Sequence, residues 1–337
     1  MTHEVTLIPG DGIGPEITAQ TVRVVAATGA PVRWHECRAG MAAVAQGGSP
    51  LPEETLASIR QRKVALKGPL TTPVNGGFRS VNVELRRTFD LFVNLRPAVT
   101  VLPGRYDGVD IVLVRENVEG LYSGVEHFIR IGDDPHAVGV SQAIVTRFAC
   151  ERTIRFAFDY AVRNGRRTVS IVHKANILRM ASGLFLEVGR AIAQEYAGRV
   201  AVNEFIVDNC AMQLVLRPER FDVIVTTNLF GDILSDEIAG LVGGLGLAPG
   251  GNIGADTAIF EGVHGSAPDI AGQGVANPAA HMLAAAMLLD HLGERDRAAR
   301  LRTALTATIR EAGIRTRDLG GSASTREFGD AVTARLA

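Results

Sequence analysis

Five short apolar runs, Val5 to Ile8, Lys63 to Leu66, Ile111 to Val114, Val169 to Val172 and Val223 to Val225, recur along the chain with helical stretches between them. Runs of that length without polar alternation suit strands buried on both faces. Their alternation with helices predicts an α/β fold around a mostly parallel sheet. Just past the runs stand Gly10-Asp11-Gly12, Lys67-Gly68-Pro69, Arg115-Glu116-Asn117, His173-Lys174-Ala175-Asn176, and Thr227-Asn228 leading to Asp232. Open α/β sheets bind ligands at the carboxyl ends of their strands, so these polar segments are expected to converge on one cleft.

Length and charge narrow the class. A chain of 337 residues, 46% of them hydrophobic, can bury a large core and is long enough for two domains. A formal net charge of -1 provides no global field toward nucleic acid or anionic lipid, so neither is an expected partner. Cys37, Cys150 and Cys210 are far apart and form no CxxC, which fits a reducing compartment without a zinc or disulfide framework. The amino terminus enters a strand pattern at once, and the apolar helix pattern from about Ala279 to Leu289 is too short for a bilayer, so a soluble cytoplasmic protein is expected. Only three of the 35 basic residues are lysines: Lys63, Lys67 and Lys174. Where arginine serves as the general cation, a retained lysine merits attention, because only an amine can lose its proton near neutral pH.

Four constellations could carry chemistry. Pro9-Gly10-Asp11-Gly12-Ile13-Gly14-Pro15-Glu16 follows a strand but lacks the third Rossmann glycine, so a phosphate loop and a plain tight turn both remain open. Asp232 and Asp236, at a predicted helix start near Gly231, share one face a turn apart. Such oxygens suit Mg²⁺ or Mn²⁺, with Asp208 available as a further ligand, but they also suit a capped, solvated turn. Ser80, Asn82, Arg86 and Arg96 with Arg115 would make a pocket able to hold several carboxylates through forked hydrogen bonds. The glycine-rich segment from Glu261 through His264, Gly265, Ser266, Ala267 and Asp269 to Ile270, with Asn277 beyond it, can hydrogen-bond an adenosine or merely turn. Helices are predicted over Gly183 to Ala197 and Gly231 to Val242. Asn277 is expected to cap a helix with Pro278 at its first position, and Ser123 to Val140 reads as an extended hairpin or arm.

In order along the chain, Ile8 to Glu16, Leu66 to Pro73, Asn94-Leu95-Arg96-Pro97, Arg115-Glu116-Asn117, Gly120 to Gly124, His173-Lys174-Ala175-Asn176, Asn228 to Asp236, Gly250 to Gly254 and His264 to Ile270 together resemble one family: the metal-dependent β-decarboxylating dehydrogenases of isocitrate, 3-isopropylmalate, homoisocitrate and tartrate. The resemblance implies a three-layer α/β sandwich that is not Rossmann, with two domains and the active site in the cleft between them. Residues 1–98 and 248–337 would form a large, cofactor-binding domain. Residues 99–247 would form a small domain for metal and dimerisation, its arm at about 123–140 clasping a second subunit. Members are homodimers or larger, and the positions of Lys174 and Asp208 reach into the neighbour's site.

The same resemblance assigns roles. Lys174 and Tyr122 would be catalytic; Ser80, Asn82, Arg86, Arg96 and Arg115 would bind substrate; Asp208, Asp232 and Asp236 would bind Mg²⁺ or Mn²⁺. Lys67, Thr71, Thr72, Asn176, Glu261, His264, Gly265, Ser266, Ala267, Asp269, Ile270 and Asn277 would line the cofactor site. Ser80-Val81-Asn82 looks like the isocitrate type, and the excess of cations over the aspartates suits a trianion. Glu84, two residues past Asn82, lies about 200° around the helix and is expected to face away. A 2′-phosphate about 4 Å from Asp269 would cost roughly 4 kcal/mol at an effective dielectric of 20, so NAD is the expected cofactor. The implied reaction is oxidative decarboxylation of isocitrate to 2-oxoglutarate and CO₂, as in the tricarboxylic acid cycle. The alternatives are homoisocitrate, 3-isopropylmalate, tartrate or a related acid as substrate, and a noncatalytic regulatory subunit. A phosphate-transfer reading lacks a Walker lysine.

Overall fold

The structure, a computed structural model, describes residues 2–72, 80–102, 104 and 106–337. Pro73, which ends one of the motifs read above, lies outside the described residues. Strands run in chain order as β1 (His3–Ile8), β2 (Val32–Glu36), β3 (Val64–Lys67), β4 (Val93–Val99), β5 (Asp110–Glu116), β6 (Gly120–Ile131), β7 (Asp134–Ile144), β8 (Thr168–His173), β9 (Ala201–Ile206), β10 (Val223–Thr226), β11 (Pro249–Ile253) and β12 (Ala258–Gly262). The chain divides into two compact units, residues 1–91, 96–109 and 239–337 in one and residues 92–95 and 110–238 in the other. Relative to the division expected at 98/99 and 247/248, residues 99–109 and 239–247 pack with the first unit.

In the first unit the strand order is β2-β1-β3-β12-β11, parallel except for the β11–β12 pair. Helix Ala279–His291 is apolar on every side, and ten of its residues are buried against β11, β12 and the helices Gly14–Ala27 and Arg295–Arg310. All-round hydrophobicity suits only a helix surrounded by other elements. Asn277 caps it as expected in kind, Oδ1 accepting from Ala279 N at 2.9 Å, although Pro278 stands at the cap rather than at the first helical position. Lys63 does not open β3. It closes helix Glu53–Arg62 in the left-handed conformation, φ 65°, its N–H donating to Ile59 O.

The second unit orders β5-β10-β8-β9, all parallel, with helices Arg147–Arg163 and Ala181–Glu195 packed together beside it. Helix Asn228–Leu241 begins a turn before the expected Gly231, because Thr227 O already accepts from Gly231 N at 2.9 Å. Asp232 therefore sits in the second turn. β6 and β7 form a separate antiparallel hairpin over the stretch read as an arm, and it exposes Phe128 and Ile131 by about three-fifths. Among the described residues no helix is long and apolar enough to cross a membrane.

Candidate active site

Three loops of the first unit meet at the carboxyl end of its parallel strands. Ile13 N donates to Ser266 O at 2.9 Å, Asp11 N to Pro69 O at 2.7 Å, and Thr71 Oγ1 to Ser266 Oγ at 2.8 Å. The approach is so close that a Cβ on Gly12, at φ +60°, would lie 1.9 Å from Ser266 O. This explains glycine at Gly12 without invoking phosphate. Asp11 also ties the loops together, accepting from Met41 N, Ala42 N and Thr71 N at 2.8 to 3.1 Å. Of the proposed cofactor residues here, Thr72, Gly265 and Asp269 are exposed, Thr71 and His264 are half-buried, and Ser266 and Asn277 are buried. Ala267 and Ile270 pack on the cluster of Ile13, Ile17 and Ala276. Asn277 Nδ2 donates to Asp318 Oδ2 at 2.9 Å, a carboxylate the sequence reading overlooked.

Beneath these loops Lys67, only 2% exposed, pairs with Glu261 at 2.6 Å and donates to Gly68 O at 2.9 Å. Asn252 Nδ2 donates to the other Glu261 oxygen at 2.7 Å, so both oxygens are engaged inside the unit. Burial pushes the Glu261 carboxyl up, but Lys67 and Arg86 with the Asn252 amide outweigh it and bring it down to about 2. A buried charge persists only with such compensation. On helix Val81–Thr88, Asn82 and Arg86 are half-buried and Glu84 is exposed, as the helical angle predicted. Ser80 precedes this helix, and Arg96 lies half-buried on β4.

The second unit gathers a different set. Arg115, 1% exposed at the end of β5, donates through Nε and Nη2 to Asn228 Oδ1 at 2.9 and 2.7 Å, and through Nη1 to Asp232. Tyr122 donates its hydroxyl to the other Asp232 oxygen, and its ring lies 5.0 Å from the Arg115 guanidinium. Burial, then the Asp232 contact, raises the Tyr122 phenol, which therefore stays protonated at neutral pH. Gly231 makes room for Arg115, since a Cβ there would lie 2.6 Å from Arg115 Cγ. In the sequence Asn228 stands out as a polar residue after a strand and as the first residue of the motif Asn228 to Asp236, with no role of its own. Nothing local reveals that its amide, held by Glu119 O at 3.0 Å, aims a carbonyl at Arg115.

Lys174 and Asp208 also meet in this unit, at 2.6 Å, where the lysine draws the Asp208 carboxyl down. Asn176 is exposed beside them. No group of three or more His, Cys, Asp or Glu among the described residues is placed to hold a metal. Asp208 is thus not brought to Asp232 and Asp236 within one chain.

The sequence pattern of the isocitrate/isopropylmalate dehydrogenases matches residues 4–332. The chain belongs to this family. It is 50% identical over 339 residues to isocitrate/homoisocitrate dehydrogenase of Thermus thermophilus, covering 100% of this chain and 99% of that protein. It is 48% identical to the alpha subunit of human mitochondrial NAD isocitrate dehydrogenase, covering 98% of this chain and 90% of that one. The crystal structure of isocitrate dehydrogenase from Methylococcus capsulatus superimposes with a TM-score of 0.96 at 53% identity, covering 99% of both chains. The family's α/β fold is therefore this chain's fold, and it is a decarboxylating dehydrogenase by family.

Within that family the carboxylates fit a divalent cation in kind. Asp232 and Asp236 offer hard oxygen donors one turn apart, and Asp208, paired with Lys174, offers another of the same kind. The loop set of the first unit fits a dinucleotide in kind, with exposed Asp269 and half-buried His264 near the buried Ser266.

Proposed function

We propose that this chain oxidises and decarboxylates isocitrate to 2-oxoglutarate and CO₂ with NAD and Mg²⁺ or Mn²⁺, as a homodimer or larger assembly with shared sites. The observation that carries this reading is the contact of Asp232 with both Arg115 and Tyr122, which joins a candidate metal carboxylate, a carboxylate-binding arginine and a protonated phenol. Ser80 and Asn82 support isocitrate, since they offer polar atoms where an isopropyl group would need an apolar wall. The names of the Thermus and human relatives support the same chemistry.

In this scheme NAD, when bound, would supply the hydride acceptor, and a divalent cation held by Asp232, Asp236 and Asp208 of a second copy would supply a Lewis acid. Arg86, Arg96 and Arg115 hold the substrate carboxylates and fix their orientation. Lys174, directly or through a water, accepts the hydroxyl proton. Tyr122, a phenol kept protonated at neutral pH, returns a proton to carbon after CO₂ leaves. Asp269 disfavours a 2′-phosphate and so supports NAD over NADP. Thr71, Ser266 and Asn277 would seat the dinucleotide in the large, cofactor-binding domain.

Two features support a second copy as partner. Lys174 and Asp208 stand together without Asp232, and the hairpin exposes Phe128, Ile129 and Ile131. Homoisocitrate is the second reading, favoured by the name of the Thermus relative. An NADH assay on the purified protein with Mn²⁺ and a panel of 2-hydroxy acids tests the proposal. We expect the highest kcat/KM with isocitrate. A higher value with homoisocitrate or 3-isopropylmalate overturns the substrate, and no NADH from any acid overturns catalysis itself.

A further inference from the structure

Helix Ala279–His291 carries an imidazole in its first turn, His281, fully buried among alanines, methionines and leucines. His281 Nε2 lies 3.3 Å from Thr18 Oγ1, and that hydroxyl donates to Pro9 O at 3.4 Å. A hydroxyl has one proton. Both contacts are made together only when Thr18 gives that proton to the Pro9 carbonyl and His281 Nε2 carries the ring proton and donates to Thr18. His281 Nδ1 is then a lone pair, buried and without a hydrogen-bond partner among the described residues.

The same logic applies to His264. Its Nδ1 lies 3.1 Å from Gly265 O and must donate to it, which leaves Nε2 as a second buried lone pair without a partner. The rings are near enough for His264 to act electrostatically on His281. Burial holds both neutral, His281 down at about 3. The Pro9 carbonyl is itself a crowded point: a Cβ on Gly14 or Gly68 would come within 2.3 or 1.9 Å of it.

We propose that His281 is a positioning residue for the cofactor loops: by donating to Thr18, whose hydroxyl donates to Pro9 O, it fixes the Pro9 carbonyl at the head of the turn whose Ile13 N–H holds Ser266 O. This rests on the reading of residues 261–270 as the dinucleotide seat.

Two measurements test it. In wild-type protein labelled with ¹⁵N-histidine, the spectrum should assign the proton to Nε2 of His281 and to Nδ1 of His264. The opposite tautomer at His281, or a charged His281 at neutral pH, overturns the arrangement without reference to any cofactor. In H281L, NADH binding read by fluorescence should weaken about tenfold while KM for isocitrate stays unchanged, the scale expected for one lost orienting hydrogen bond. H281Q, whose amide N–H can still reach Thr18, should recover part of that loss. Unchanged NADH binding in H281L, or equal weakening of NADH and isocitrate, overturns the positioning role. If wild type binds no NADH, the cofactor reading itself fails, and the tautomer spectrum still decides the His281 arrangement.

Discussion

Two lysine–carboxylate pairs of equal length, 2.6 Å, stand in opposite surroundings. Lys67–Glu261 is sealed inside the first unit and completed by Asn252, whereas Lys174–Asp208 lies open, with the Asp208 side chain 69% exposed. A buried pair is held by the cost of separating its charges, and an exposed pair is held weakly because water competes for both ends. The first lysine is thus fixed by its own chain. The second is free to exchange its partner, which the proposed roles of Lys174 as proton acceptor and of Asp208 as shared metal ligand both require.

The contrast breaks first on activity. Lys174→Met should lower kcat by about 10³-fold, within the range of general-base loss, while metal-dependent isocitrate binding persists. Asp232→Asn should be similarly inactive. If the open pair serves a second copy, mixing the two variants should regenerate intact sites in about half of the positions of each mixed dimer. No recovery in subunit-exchanged mixtures, with mixed dimers verified by mass, would place the whole site in one chain.

Stability separates the pairs next. Glu261→Gln strands the Lys67 ammonium and should cost about 3 to 5 kcal/mol in denaturant unfolding, whereas Asp208→Asn should leave Tm unchanged. Equal effects would erase the distinction drawn between them.

The pH dependence sharpens it further. His281 is held at about 3 when folded, below its ordinary value of 6.5, so the unfolded chain binds the extra proton between those limits. Stability from this group is present above pH 6.5 and falls as pH drops toward 3, by up to roughly 1.4 kcal/mol per pH unit. Glu261 adds a loss only at lower pH, as the solution passes from about 4.5 to about 2. Urea unfolding from pH 7 to 4 should therefore slope less in H281L than in wild type, and parallel slopes would contradict a neutral buried ring. The smallest effect expected is Asp269→Ala, which should ease NADP use without reaching NAD efficiency, measured as the ratio of the two kcat/KM values.

Much of the fold and of the site is legible in the chain because the signals are local. The runs at Val5, Ile111, Val169 and Val223 are strands, and the segment after each carries polar groups. Asn82 and Glu84 separate as helical geometry requires. Boundaries depended on contacts that local patterns do not contain. Lys63 ends a helix rather than opening a strand, and Asn228 rather than Gly231 starts the helix bearing Asp232.

By itself the sequence determined the strand–helix alternation, the glycine-marked turns and the motifs that identify the family, all of which depend on residues adjacent in the chain. Only the tertiary structure decided partners. It sealed Glu261 against Lys67, aimed Asn228 at Arg115, made Asp11 a tie between loops, and buried His281 behind Thr18. Burial and hydrogen bonding across tens or hundreds of residues set which charges are compensated, and no periodicity records that.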